Sequence, residues 1–112
     1  MAVELALLSE VAPDDSAVAL ALGDIDPQGK VVAFDSMQMR LLVESTQEPL
    51  LAIYSTRHVE VPDQVRQAVE NPPEAFGLWT DLVIPYGADE LLAREAAETL
   101  AARVGGSVHS RR

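Results

Sequence analysis

The sequence contains no cysteine. Disulfide scaffolds, thiolate zinc sites and cysteine nucleophiles are therefore excluded. Aromatic residues make up only 4% against an apolar share of 48%. A core must then be built mainly from Ala, Val, Leu and Ile. No apolar run approaches the ~20 residues that span a bilayer. The opening Met-Ala-Val-Glu-Leu lacks the basic flank of a secretory signal. Together these features predict a soluble, cytoplasmic protein without a membrane partner.

Bases are also scarce. Eight Lys and Arg face 18 Asp and Glu, for a net charge of −10. Two of the eight, Arg111 and Arg112, stand at the very end. Such a surface repels phosphate backbones, which argues against direct nucleic-acid binding. Acidity keeps a small protein soluble, or it offers a face to a basic partner protein. No Gly-x-Ser-x-Gly elbow occurs. No phosphate loop or Gly-x-Gly-x-x-Gly turn occurs either, so nothing calls for a cofactor.

What is present is a well-patterned single domain, residues 1–112. The strongest signal is a helix over residues 88–104. Leu92, Ala93, Ala96, Ala97, Leu100 and Val104 share one face at helical spacing. Glu90, Arg94 and Glu98 share the other. Asp89 suits the start, and Gly105-Gly106 suits the end. A shorter helix is expected over residues 62–71, with Pro62 at its first position, a stripe of Val65, Ala68 and Val69, and Pro72-Pro73 as its stop.

Strands are expected over residues 3–8, 17–22, 30–35, 37–43 and 50–56, with another near 82–84. In 17–22, Val18, Leu20 and Leu22 alternate with Ala17, Ala19 and Ala21, which reads as a strand with its bulky side in the core. The run 37–43 alternates most cleanly. Met37, Met39, Leu41 and Val43 read as its core side, with Leu42 on the polar side. Residues 107–112 read as a short strand or a fraying tail. The fold expected is α+β: an antiparallel sheet of about four to five strands with two helices packed on one face, the longer near the C-terminus.

Three candidate functions follow. The leading one is a non-catalytic protein-interaction module that self-associates, because no catalytic constellation is visible and pairing would add to a small core. Leu42 and Leu91 are candidate marks of its interface. Trp79 and Tyr86 flank an apolar strand and are expected to be buried as anchors of the long helix; exposed, they would be contact anchors. The alternative is a small enzyme or ligand-binding domain with a pocket near His58 and Glu60, and with Tyr54 beside them. A carboxylate two residues from a histidine shares its face in extended chain and can raise it to a general base. The third is weak divalent-metal binding by a turn. Asp24, Asp26, Gln28, Gly29, Lys30 and Asp35 resemble the spacing of an EF-hand loop over twelve residues. Against this, Gln28 and Asp35 depart from its usual ligands, Pro27 interrupts it, and Asp26 to Gly29 is ordinary turn chemistry. Asp81 reads as a lone acid on a strand.

Overall fold

The computed structural model describes residues 2–60, 62–71 and 76–111. Six strands form one antiparallel sheet: β1 (Val3–Ser9), β2 (Lys30–Phe34), β3 (Met39–Val43), β4 (Pro49–His58), β5 (Leu78–Ile84) and β6 (Ser107–Ser110). Their order across the sheet is β2-β3-β4-β5-β1-β6. Among the described residues, three helices complete the fold: α1 (Asp15–Ile25), α2 (Pro62–Ala68) and α3 (Glu90–Arg103). The α+β class is as expected. The sheet gains a strand and the domain gains a helix. Pro72 and Pro73, the expected stop of α2, lie outside the described residues.

The added helix is α1, where residues 17–22 were expected to form a strand. The alternation there is real, but alanine on the small side fits either period and is the best helix former. The deciding signal is the cap. The Asp14 carboxylate accepts from the Ala17 amide at 2.7 Å, which satisfies an amide left free in the first turn. Val18, Ala21 and Leu22 are buried at helical spacing. Leu20, expected in the core, is half exposed on the outer side of the helix.

Because α1 intervenes, β1 does not pair with β2. It lies between β5 and β6. Its residues from Leu5 to Ser9 are all buried, as in a strand covered on both faces. Leu5 and Leu7 join the main core with α1 and α3. Ala6 and Leu8 join a smaller cluster with Val65 and Val69 around α2. The helices therefore do not share one face. Two cover the first face of the sheet, and α2 covers one end of the second.

β3 also turns over. Leu42 lies opposite Val31 and Leu51 and is 1% exposed in the main core. It marks no interface. Arg40 points to the same side, where its guanidinium reaches Asp15 at 2.9 Å and the Pro13 carbonyl at 3.0 Å, beside the start of α1. Its aliphatic stem covers the edge of the core while its charge stays at the rim. Of the expected core side, Met39 and Leu41 face outward and are half buried, while Val43 at the end of the strand is buried as expected. Met37, in a short 3-10 turn, is exposed.

α3 forms as expected. Asp89 caps it, accepting from the Leu92 amide at 3.1 Å. Its buried stripe is almost all alanine: Ala93, Ala96, Ala97 and Ala101, with Leu100. Gly105 ends it with φ +64°, the left-handed conformation that glycine adopts without strain. Gly106 then passes against β1. A Cβ there would stand 2.6 Å from the Leu8 carbonyl oxygen and 2.8 Å from the Ser9 Cβ. Backbone cannot move aside as a flexible side chain can. Gly106→Ala is therefore expected to cost about 1–3 kcal/mol, the range for overpacking, read as a lower denaturant midpoint. After Gly106 the chain forms β6 rather than fraying.

On the core side, the Thr56 and Thr80 hydroxyls are 2.7 Å apart across β4 and β5, so the buried Thr80 is satisfied. Among the described residues, no helix is long and apolar enough to cross a membrane.

Candidate binding surface

The second face of the sheet holds the features from which function can be argued. Strand register assigns its residues. Phe34 lies opposite Met39, and Val32 opposite Leu41. Leu41 lies opposite Ala52, Ala52 opposite Val83, and Val83 opposite Glu4. A solvated antiparallel face normally carries polar residues at these alternate positions. Here β2 to β5 present Val32, Phe34, Met39, Leu41, Ala52 and Val83. Most are half buried, and Phe34 is 39% exposed. α2 does not reach this half; its apolar contacts are with the β1 and β5 end.

At that end lies a cluster of charge around the protein's single tryptophan. Trp79 and Asp81 are two apart on β5 and so share a face. The indole N–H of Trp79 donates to Asp81 Oδ1 at 2.6 Å. Arg57 stands opposite Trp79 in register, and its guanidinium lies 5.1 Å from the indole centroid. Its Nη1 donates to Asp81 Oδ2 at 3.1 Å. Arg111 arrives from the other side. Its amide donates to the Glu4 carbonyl at 3.4 Å, and a bridge to Val69 holds its backbone. Its guanidinium lies 5.5 Å from the same ring, and Nη1 is 3.6 Å from Asp81 Oδ1. One carboxylate thus serves an indole and two cations. Asp81 is not a lone acid. Each exposed ion pair is worth little in stability, at most about 1 kcal/mol, and each cation–π contact about as much. Their joint effect is to hold two guanidinium groups in place.

Two open clefts flank the arginine pair. One, of about 370 Å³, lies between α2 and the ends of β4 and β5, and both His58 and Glu60 line it. The other, of about 380 Å³, includes Tyr54, Glu4 and Asp81. The structure thus brings His58 and Glu60 to one cleft and places Tyr54 in its neighbour. Among the described residues, neither His58 nor Glu60 makes a side-chain hydrogen bond, so the histidine–carboxylate pair needed for a general base is not formed. His109 is held elsewhere. Its Nδ1 lies 2.9 Å from the Glu70 carbonyl, which can only accept, so Nδ1 carries the proton. In the neutral ring Nε2 then accepts from the Ser107 hydroxyl at 2.7 Å.

Trp79 is buried, but against α2 and not under the long helix. Tyr86, expected to be buried, is 81% exposed in the turn before α3. Leu91 is likewise exposed on the outer side of α3.

The twelve-residue metal spacing does not become a loop. Asp24 lies within α1, and its carboxylate accepts from Arg103 at 2.6 Å. Asp26 caps that helix, and Asp35 stands beyond the far end of β2. At ~3.3 Å per strand residue, β2 keeps Asp35 well away from Asp26 and Gln28. No group of three or more acidic or histidine ligands converges among the described residues. What Asp26 does is structural. Its carboxylate accepts from the Ser45 amide at 2.8 Å and the Gln28 amide at 3.2 Å. These bonds, the Ser45 one foremost, hold its pKa below the ordinary carboxylate value. A lowered folded pKa gives stability that is full above the unfolded value and is lost as pH falls through the folded one. Asp26→Asn is therefore expected to lower the melting temperature at pH 7 and to flatten its fall on the acid side, measured by thermal melts from pH 7 down to pH 2.

Comparison with protein families, with characterised proteins and with solved structures finds no match to this chain.

Proposed function

We propose that this protein is a non-catalytic interaction module that self-associates through the half of its second sheet face left open by α2. The observation that carries this is the run Val32, Phe34, Met39, Leu41, Ala52 and Val83, apolar where a solvated face would alternate with polar residues. Contiguous apolar surface left partly open in this way suits a contact site.

Charge favours a second copy as the occupant. The protein is strongly acidic overall. On the open half, however, the register places Lys30 among apolar residues, while Arg57, Arg111 and Asp81 stand at the end that α2 covers. Two copies meeting on the open half bring few charges together, whereas the helix side exposes Glu90, Glu95 and Glu98. Such a contact is isologous and closes on itself as a two-fold dimer. Sedimentation equilibrium at tens of micromolar should give about twice the 12.1 kDa chain mass. A mass of one chain at that concentration would sink the proposal. A basic protein partner belongs instead to the outer side of the helices, where Glu90, Glu95 and Glu98 are exposed. Its test is a co-purifying protein that is released by salt.

Ligand binding is the second reading, supported by the cleft that His58 and Glu60 line. The sequence-based enzyme alternative has less behind it, since the two side chains make no bond to each other.

A further inference from the structure

We infer that the cleft between α2 and the ends of β4 and β5 binds the carboxylate of a small apolar acid, with Arg57 and Arg111 as its two cationic donors. This rests on the ligand-binding reading of the cleft and is independent of self-association.

Three observations combine. The first is the floor. Val59, Val65, Ala68 and Trp79 form the apolar part of a lining that also includes His58 and Gln64, and Val65 and Trp79 are themselves buried. The cleft, at about 370 Å³, is of the size that holds small ligands, in which an apolar body rests on apolar walls and a few polar groups set its orientation. The second is the arginine pair. Both guanidinium groups stand over the same indole, at 5.1 and 5.5 Å, and both line the cleft. A guanidinium has five N–H donors. Arg57 places one on Asp81 at 3.1 Å, and Arg111 approaches the same carboxylate only at 3.6 Å. The remaining donors of both are free for an oxyanion. The arginine side chains are 59% and 36% exposed, so a ligand reaches them without any rearrangement of the core.

The third is where Asp81 stands. It lines the neighbouring cleft and not this one. It therefore holds the two cations from the side of the neighbouring cleft, while both guanidinium groups also line this one. Side chains held in their binding geometry before the ligand arrives lose less entropy on binding. Guanidinium is also the group whose planar fork matches a carboxylate.

The opposing charge is Glu60, at the rim of the same cleft. It is exposed, so solvent and salt screen it. With the overall acidity, it still selects against highly charged anions. A singly charged carboxylate meets less of this repulsion than a dianionic phosphate does, and the apolar floor rewards a hydrocarbon body that inorganic phosphate lacks.

Trp79 is the only tryptophan, so its fluorescence reports directly on the cleft. The native chain is titrated with sodium hexanoate, hexan-1-ol, hexylamine and inorganic phosphate at one ionic strength. The expected result is a saturable change with hexanoate, at least tenfold weaker binding of the alcohol, and no saturable change with the amine or phosphate. Arg57→Ala and Arg111→Ala should each weaken hexanoate at least tenfold, while Glu60→Gln should tighten it. Far-UV circular dichroism establishes that each variant is folded. Arg57→Gln and Arg111→Gln, which keep a long polar side chain but remove the charge, give the same comparison should an alanine variant fail. The shift of the Trp79 indole N–H in an NMR titration is a second readout on the native chain. Equal binding of alcohol and carboxylate, or unchanged affinity in both arginine variants, overturns the carboxylate assignment while leaving the cleft a binding site. Tighter binding of phosphate than of hexanoate overturns it as well. Silence from all four probes by both readouts overturns the ligand reading of the cleft together with the inference.

Discussion

Leu82→Ala is expected to cost about 2–5 kcal/mol of folding stability, the range for truncating a fully buried leucine. Leu82 is fully buried on β5, with Leu5 opposite it on one side and Ile53 on the other. All three belong to the main core. The cost depends on whether neighbours can collapse into the space left behind. The helix packed over this sheet presents Ala93, Ala96 and Ala97, and alanine has no rotamers with which to fill a void. The neighbours in the sheet are fixed in register by their hydrogen bonds. The cavity should therefore persist, which puts the expected loss toward the upper part of that range. Against a total of about 5–15 kcal/mol for a natural domain, this is a large fraction. At ~4–8 °C per kcal/mol for a domain near this size, the melting temperature should fall by more than ~10 °C. Leu91→Ala is the control. Leu91 is 83% exposed, and its truncation should shift stability by no more than ~0.5 kcal/mol. Equal effects from the two variants would mean that the sheet core is not where these elements place it.

The parts of this fold that were legible in the sequence are those with two independent local signals. α3 has a helical stripe, a capping Asp89 and a terminal glycine pair, and all agree. α1 has the same kind of cap in Asp14. Its Val18-Ala19-Leu20-Ala21-Leu22 run also satisfies strand alternation, however, and alanine does not discriminate between the two periods. A strand at 17–22 would lie beside β2 in the sheet, whereas α1 carries the chain across it and leaves β1 between β5 and β6. β3 illustrates a different limit. Period-2 alternation reveals two faces but not which of them is inside. Arg40 made the Leu42 side look wet, yet its charge is met at the start of α1, 25 residues away in sequence. Pairings of that range carry no local pattern.

The same reasoning applies to the site. His58 and Glu60 were visible because they are two apart, and the structure brings both to one cleft. The group that organises that cleft was not visible. Trp79 and Asp81 have a short spacing on a strand, which was the one available signal. Arg57 and Arg111 reach the indole only because β4 lies beside β5 and the last strand lies beside β1. Arg111, which read as part of a tail, is held by the Val69 bridge and the Glu4 carbonyl.

Leu41→Glu combined with Phe34→Glu is expected to convert the self-associated protein to a monomer without unfolding it. Both residues lie on the open half of the second face, on β3 and β2 respectively, and neither belongs to the buried clusters. In the isolated chain they are half buried or exposed, so a carboxylate at either position keeps its water and costs little. In a two-fold contact each substitution appears twice, and four new carboxylates are brought into one apolar interface. Burying an unpaired charge is prohibitive compared with the contacts such an interface makes. Like charges facing one another across the axis add to that cost. The dissociation constant should rise at least a hundredfold, which is about 2.8 kcal/mol at tenfold per 1.4 kcal/mol. Sedimentation at matched concentrations measures it, with the melt of the variant compared with the native chain at low concentration as the folding control. The same two substitutions on the helix side, Leu20→Glu and Leu91→Glu, remove as much exposed apolar surface but should leave the association constant unchanged. A dimer that survives the first pair and dissociates with the second would move the interface from the open sheet to the helices.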